Sequence, residues 1–167
     1  NLVKIFWEMK TMSCNLPFFV KKYFEFMDEH KNKFCKWQWK LREQVINAFE
    51  NEDLYADTQL AIKYFGLSKY LGIKTFEWQE FLLGLHLCVF KKIDNYPRWH
   101  EAIVLMGRGN GKDGTISLQA LALASPYNTI KEYDIDICAY NEDQAKRPVN
   151  DIITAFEQNP NKFKKFF

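Results

Sequence analysis

Four glycines fall within the eight residues 107–114, in the string Met106-Gly107-Arg108-Gly109-Asn110-Gly111-Lys112-Asp113-Gly114. Glycine loses more backbone freedom on ordering than any other residue, so such a stretch is neither a strand nor a comfortable helix interior. Its neighbours differ in character. Residues 101–106 form a nearly continuous apolar run, which suits a buried strand of a parallel sheet. Residues 115–124 are rich in Ala and Leu and read as a largely buried helix stopped by Ser125-Pro126. Residues 134–140 then alternate Ile135, Ile137 and Ala139 with polar positions, the pattern of a second strand. Asn141, with Gln144 three places on, starts another helix in the manner of a capping box. Pro148 requires that helix to kink or restart. Strand, glycine loop, helix, strand, helix is the order of a βαβ unit with a right-handed crossover.

A glycine loop between strand and helix is the setting in which phosphate is bound, in the pattern G-x-x-x-x-G-K-[ST]. Glycines let successive backbone N–H groups turn inward, and the following helix adds its positive end. Here Lys112 is the lysine that would reach the β- and γ-phosphates. Two features depart from the pattern: Met106 stands where the first glycine belongs, and Asp113 replaces the hydroxyl residue that ligates Mg²⁺. A carboxylate also ligates Mg²⁺, although it adds negative charge near phosphate; Thr115 is the alternative hydroxyl. A tight turn with a purely structural role is the competing reading of the loop.

Upstream, the chain reads as helical over residues 18–30 and 35–50, with Trp37, Leu41, Val45, Ala48 and Phe49 near helical spacing. A third helix follows over 57–67, and Thr75 can cap a fourth that runs over 76–89. Aromatic stripes at this spacing are core material. His86 and Cys88 lie two apart in a strongly apolar segment and read as core residues, not metal ligands. The four cysteines (Cys14, Cys35, Cys88 and Cys138) have neither zinc-ligand spacing nor a disulfide framework, and read as reduced, mostly buried thiols of a cytosolic protein. With 23 basic and 21 acidic residues the net charge is +2, so composition makes no case for nucleic-acid binding. The longest apolar run, 81–90, falls well short of the roughly 20 residues that cross a bilayer.

The loop Arg108-Gly109-Asn110-Gly111-Lys112-Asp113-Gly114 resembles the deviant Walker A motif of phage terminase large subunits. Phe76-Glu77-Trp78-Gln79-Glu80-Phe81 resembles that family's Trp-Gln segment, and Asp143-Gln144-Ala145-Lys146 the end of its second-strand segment. The helical front, with residues 35–49 and 56–65, is similar to the family's N-terminal helices. The resemblance touches most of the chain and is most specific over residues 76–146. It implies an α/β fold, a P-loop NTPase (RecA-like) three-layer core that is incomplete here, preceded by an N-terminal helical subdomain. The expected division is 1–74 for the helical subdomain and 75–167 for the front part of the ATPase domain.

The activity implied is an ATPase motor that packages double-stranded viral DNA into a capsid, with ATP and Mg²⁺ as cofactors. A nuclease is expected in a further C-terminal part. The implied partners are viral DNA, a small terminase subunit and the portal protein, in a homo-oligomeric ring in the host cytoplasm with no membrane. Lys112 and Arg108 are the implied catalytic cations. Gly107, Gly109, Asn110, Gly111 and Gly114 shape the phosphate cradle with them, Gln79 hydrogen-bonds adenine, Trp78 packs near the base or in the core, and Asp113 is the implied metal ligand. Asn141 and Gln144 read as helix-capping groups.

Hydrolysis also needs an acid that holds Mg²⁺ and one that orients water, which follow a later buried strand. Residues after Lys112 contain no apolar run ending in Asp-Glu; Asp134 and Asp136 read as exposed positions of a half-buried strand. The chain also starts with Asn. The expectation is therefore an N-terminal fragment that binds nucleotide weakly, hydrolyses it poorly and self-associates through unpaired sheet edges. The alternatives are another P-loop ATPase of helicase-like type and a non-catalytic scaffold module.

Overall fold

The computed structural model describes residues 15–130 and 133–164. Among the described residues the fold is mostly helical with one small two-stranded sheet. It divides into two compact units, each built from separate stretches of chain: residues up to Thr58 with Glu77–Ala102, and Gln59–Phe76 with the residues from Ile103 onward.

In the first unit, α1 (Phe18–Glu29) buries Phe19, Val20, Tyr23, Phe24 and Met27, which recur at helical spacing along one face. This face packs on α4 (Glu77–Cys88), whose Phe81 ring lies 4.5 Å from that of Tyr23. Burying an aromatic or aliphatic side chain of this size contributes about 1.5–3 kcal/mol. Gly84 permits the close approach: a Cβ there would sit 2.5 Å from the ring of Phe19, which is itself fully buried. Between them in sequence, α2 (Lys36–Asn51) is tied back to α1 by Arg42, whose two terminal nitrogens donate to the carboxylate of Asp28 at 2.8 and 2.9 Å. The sheet is antiparallel: β1 (Leu54–Ala56) pairs with β2 (Val89–Lys91), Tyr55 opposite Phe90. Glu52 and Arg98 form a bidentate ion pair beside it.

The second unit holds α3 (Thr58–Phe65, its first residue excepted), a 3₁₀ turn (Gly66–Tyr70), α5 (Lys112–Ala124), α6 (Glu142–Gln158) and α7 (Pro160–Phe163). Helices α5 and α6 pack as a pair, and the 3₁₀ turn packs on α5. Leu118, Ala120, Leu121 and Ala122 are the buried apolar residues of α5, and Ser125 ends it in extended backbone before Pro126. Tyr70 and Phe163 meet with ring centroids 5.1 Å apart.

Several expectations are corrected here. Residues 101–106 and 134–140 do not form strands, and the sheet of the described residues is the antiparallel pair alone. The first segment is not buried either: Ile103 is 91% and Leu105 93% exposed. Apolar content and alternation favour extended backbone, but a strand exists only when a neighbour completes its hydrogen bonds. The second segment keeps its alternation without pairing: Ile135 and Ile137 are half-buried, while Asp134 and Asp136 are exposed. Residues 112–114, expected to lie in the loop, are the first turn of α5. Helix α6 does not restart at Pro148; it runs through it, and the proline removes the N–H that would bond the Gln144 carbonyl.

His86 Nδ1 donates to the Trp99 carbonyl at 2.6 Å. Cys88 is buried, and its thiol is pushed up to about 12 by that burial, with a smaller contribution from Asp57. Contrary to the expectation of mostly buried thiols, Cys35 and Cys138 are exposed; Cys14 lies outside the described residues.

Candidate phosphate-binding site

The loop ahead of α5 is bent by two glycines in the left-handed region, Gly109 at φ 84° and Gly111 at φ 81°. A side chain in that region costs roughly 1–2 kcal/mol, so the backbone itself requires glycine here. At Gly109 the reason is purely conformational, because no atom lies within 4 Å of where a Cβ would sit. Asn110 Nδ2 donates to the Gly107 carbonyl at 3.3 Å and braces the turn. Gly111 is the N-cap residue of α5, so the first turn of the helix, with its unsatisfied N–H groups and positive dipole end, starts directly from the loop.

That first turn opens on a cavity of about 910 Å³. A small-molecule site typically occupies about 300–1,000 Å³. Arg108, Gly109 and Gly111 line it from the loop, and Lys112 and Asp113 from α5. Ile137 and Cys138 line it from the second extended segment, and Gln144 and Arg147 from the first two turns of α6. Three cations against one carboxylate leave the lining with an excess of two positive charges, the balance a polyanion requires. Lys112 Nζ lies 2.9 Å from Asp113 Oδ1, and Arg147 Nη1 lies 3.8 Å from Asp113 Oδ2. The three side chains are half or more exposed, at 54, 50 and 64%. Solvent-screened pairs of this kind contribute at most about 1 kcal/mol each. Pairs this weak are open to exchange for other charged partners.

The residues singled out from sequence divide by position. Arg108, Gly109, Gly111, Lys112 and Asp113 come together around the cavity. Gly107 and Asn110 shape the loop behind it, and Gly114 sits within α5, where a Cβ would make ordinary contact with Ile73 at 3.5 Å. Thr115 Oγ1 donates to the Gly111 carbonyl at 3.0 Å, a bond internal to the helix start. Gln79 belongs to the first unit, on α4, and is 4% exposed; Trp78 beside it is half-buried. Asn141 caps α6 by accepting from the Gln144 N–H at 2.9 Å.

For Mg²⁺ the cavity supplies one carboxylate, that of Asp113. The ion commonly takes one or two carboxylates alongside phosphate oxygens and water, so the donor set fits only with a phosphate ligand present. Among the described residues no group of three or more His, Cys, Asp or Glu is placed to hold a metal on its own.

Cys138 and Arg147 are among the lining residues to which the sequence reading gave no part in a site. Cys138 was read as a buried thiol within a strand, and Arg147 falls one position past the string that carries the family resemblance. Only the pairing of α6 with α5 brings Arg147 to the loop.

No known protein family, curated protein or solved structure matches this chain. Among the described residues no helix is long and apolar enough to cross a membrane.

Proposed function

We propose that this cavity binds ATP with Mg²⁺, and that the chain supplies the ATP-binding part of a phage terminase large subunit. The observation that carries the reading is the left-handed glycine loop feeding the first turn of α5, with Lys112 on a cavity that has an excess of positive charge. In this reading Lys112 and Arg108 neutralise the β- and γ-phosphates, more strongly as charge develops during hydrolysis. N–H groups of the loop and the first turn of α5 donate to the remaining phosphate oxygens. Mg²⁺ neutralises phosphate charge, and Asp113 is the protein carboxylate available to it. The wider setting belongs to the same proposal: a ring of subunits in the host cytoplasm that moves double-stranded DNA through a portal, with a small terminase subunit.

One observation favours a second reading, a structural turn: Lys112 already has a counter-ion in Asp113. Melting with and without Mg-ATP, for wild type and Lys112→Ala, separates the two. Ligand at a hundred times Kd stabilises the folded state by about 2.7 kcal/mol. For a chain of this size that raises Tm by roughly 5–10 °C. The expected result is such a shift in wild type and its loss in Lys112→Ala. No shift in wild type would leave the loop as a turn.

A further inference from the structure

Helices α5 and α6 meet through two polar pairs set one turn apart. On α5, Asp113 and Ser117 are four residues apart and share a face; on α6, Arg147 and Asp151 do the same. Arg147 faces Asp113 at 3.8 Å, and Ser117 Oγ lies 2.7 Å from Asp151 Oδ2. The second pair is the firmer one. Ser117 is 1% exposed, and its hydroxyl also lies 3.0 Å from the Asp113 carbonyl, so the contact fixes how the two helices lie along each other. The first pair is open to solvent, longer than a hydrogen bond, and weak. The firm pair therefore holds α6 where Arg147 lines the cavity, while the weak pair leaves the guanidinium free to turn.

We propose that Arg147 is a third phosphate-binding cation of this site, and that Asp113 is the counter-ion that holds it and Lys112 when no polyphosphate is bound. The proposal rests on the ATP-binding reading of the same cavity and goes further by assigning a residue from α6. When a di- or triphosphate occupies the loop, Lys112 Nζ and the Arg147 guanidinium exchange one shared carboxylate for several phosphate oxygens. An arginine suits this role because its planar fork donates to two oxygens at once. A nucleoside monophosphate lacks the β- and γ-phosphates that this reading places at Lys112, so the contribution of Arg147 beside Lys112 belongs to di- and triphosphates.

The test measures affinities for ATP, ADP and AMP by titration calorimetry, without and with Mg²⁺. It compares wild type with Lys112→Ala, Arg147→Ala, Arg147→Lys and Asp113→Asn, and the ligand-free Tm of each variant reports on folding. A charge-assisted hydrogen bond is worth about ten- to a hundredfold in affinity. Arg147→Ala is expected to weaken ATP and ADP by that factor, to leave AMP within about twofold, and to keep the ligand-free Tm. Arg147→Lys should recover part of the loss, and Asp113→Asn should tighten ATP binding without Mg²⁺. If Lys112→Ala weakens ATP but Arg147→Ala matches wild type, the assignment of Arg147 falls and the ATP reading stands. If Arg147→Ala lowers Tm and weakens all three ligands alike, the residue is structural and the assignment falls. Weaker ATP binding by Asp113→Asn without Mg²⁺ would overturn the counter-ion role. A wild type that binds none of the nucleotides removes both readings.

Discussion

Glu52 and Arg98 form the same kind of ion pair as Lys112 and Asp113, yet they do a different job. Arg98 donates from Nη2 to Glu52 Oε1 at 2.8 Å and from Nε to Oε2, and its backbone N–H donates to the Val89 carbonyl at 2.9 Å. The pair thus ties the end of α2 to the chain beyond β2. The hydrogen bonds from Arg98 hold the Glu52 carboxyl below its ordinary value of 4.5, against a smaller opposing effect of burial. A folded-state value lower than the unfolded one contributes stability above pH 4.5, and that stability disappears as pH falls through the folded value. Both side chains are about a third exposed, so the contribution stays within about 1 kcal/mol. Arg98→Ala is accordingly expected to lower Tm by a few degrees at pH 7 and to flatten its decline below pH 4.5. Thermal melts from pH 7 to pH 3 check this; parallel curves for the two proteins would remove Glu52 from the acid response. The pair on α5 differs in lining a cavity, where under the proposed function an incoming anion competes for the cation.

Among the elements, the α1–α4 contact depends on a missing methyl group. At Gly84 the helix-propensity gain of alanine, about 1 kcal/mol, opposes overpacking against the buried Phe19 ring, which costs about 1–3 kcal/mol. With an added Cβ only 2.5 Å from the ring, overpacking wins. Gly84→Ala is expected to destabilise the protein by about 1–2 kcal/mol, and Gly84→Ala with Phe19→Leu to recover part of it; denaturant titration of both decides. A gain in stability from the single change would show that α4 lies further from α1. Such helices were legible in the sequence because their signals are local: the apolar spacing of 18–30, Asn141 at the start of α6, Ser125-Pro126 at the end of α5. The glycine loop was legible for the same reason. The sheet was not. The pairing of 54–56 with 89–91 joins two three-residue strands across 32 intervening positions (89 minus 56, less 1), too short to show periodicity. The stronger strand signals at 101–106 and 134–140 have no pairing neighbour in the described residues. Arg147 is unreadable for a related reason, since its position depends on a helix pair fixed by Ser117 and Asp151.

On the scale of the whole chain, the two units are interleaved along the sequence. The chain leaves the first unit after Thr58, returns at Glu77 and leaves again after Ala102. The 3₁₀ turn that packs on α5, and the Tyr70 ring against Phe163, therefore come from a segment that precedes α4. For anyone wishing to borrow the glycine loop and its cavity, they are not a cassette: no single splice excises them, and grafting residues from 103 onward leaves α5 without its 3₁₀ neighbour. The same wiring governs the response to proteases. The exposed extended stretch around Ile103–Leu105 is the natural place for a first cut. One cut there should yield two pieces that still co-elute in size-exclusion chromatography and part only in denaturant. Separation under native conditions would mean that the second unit does not hold together without its covalent thread.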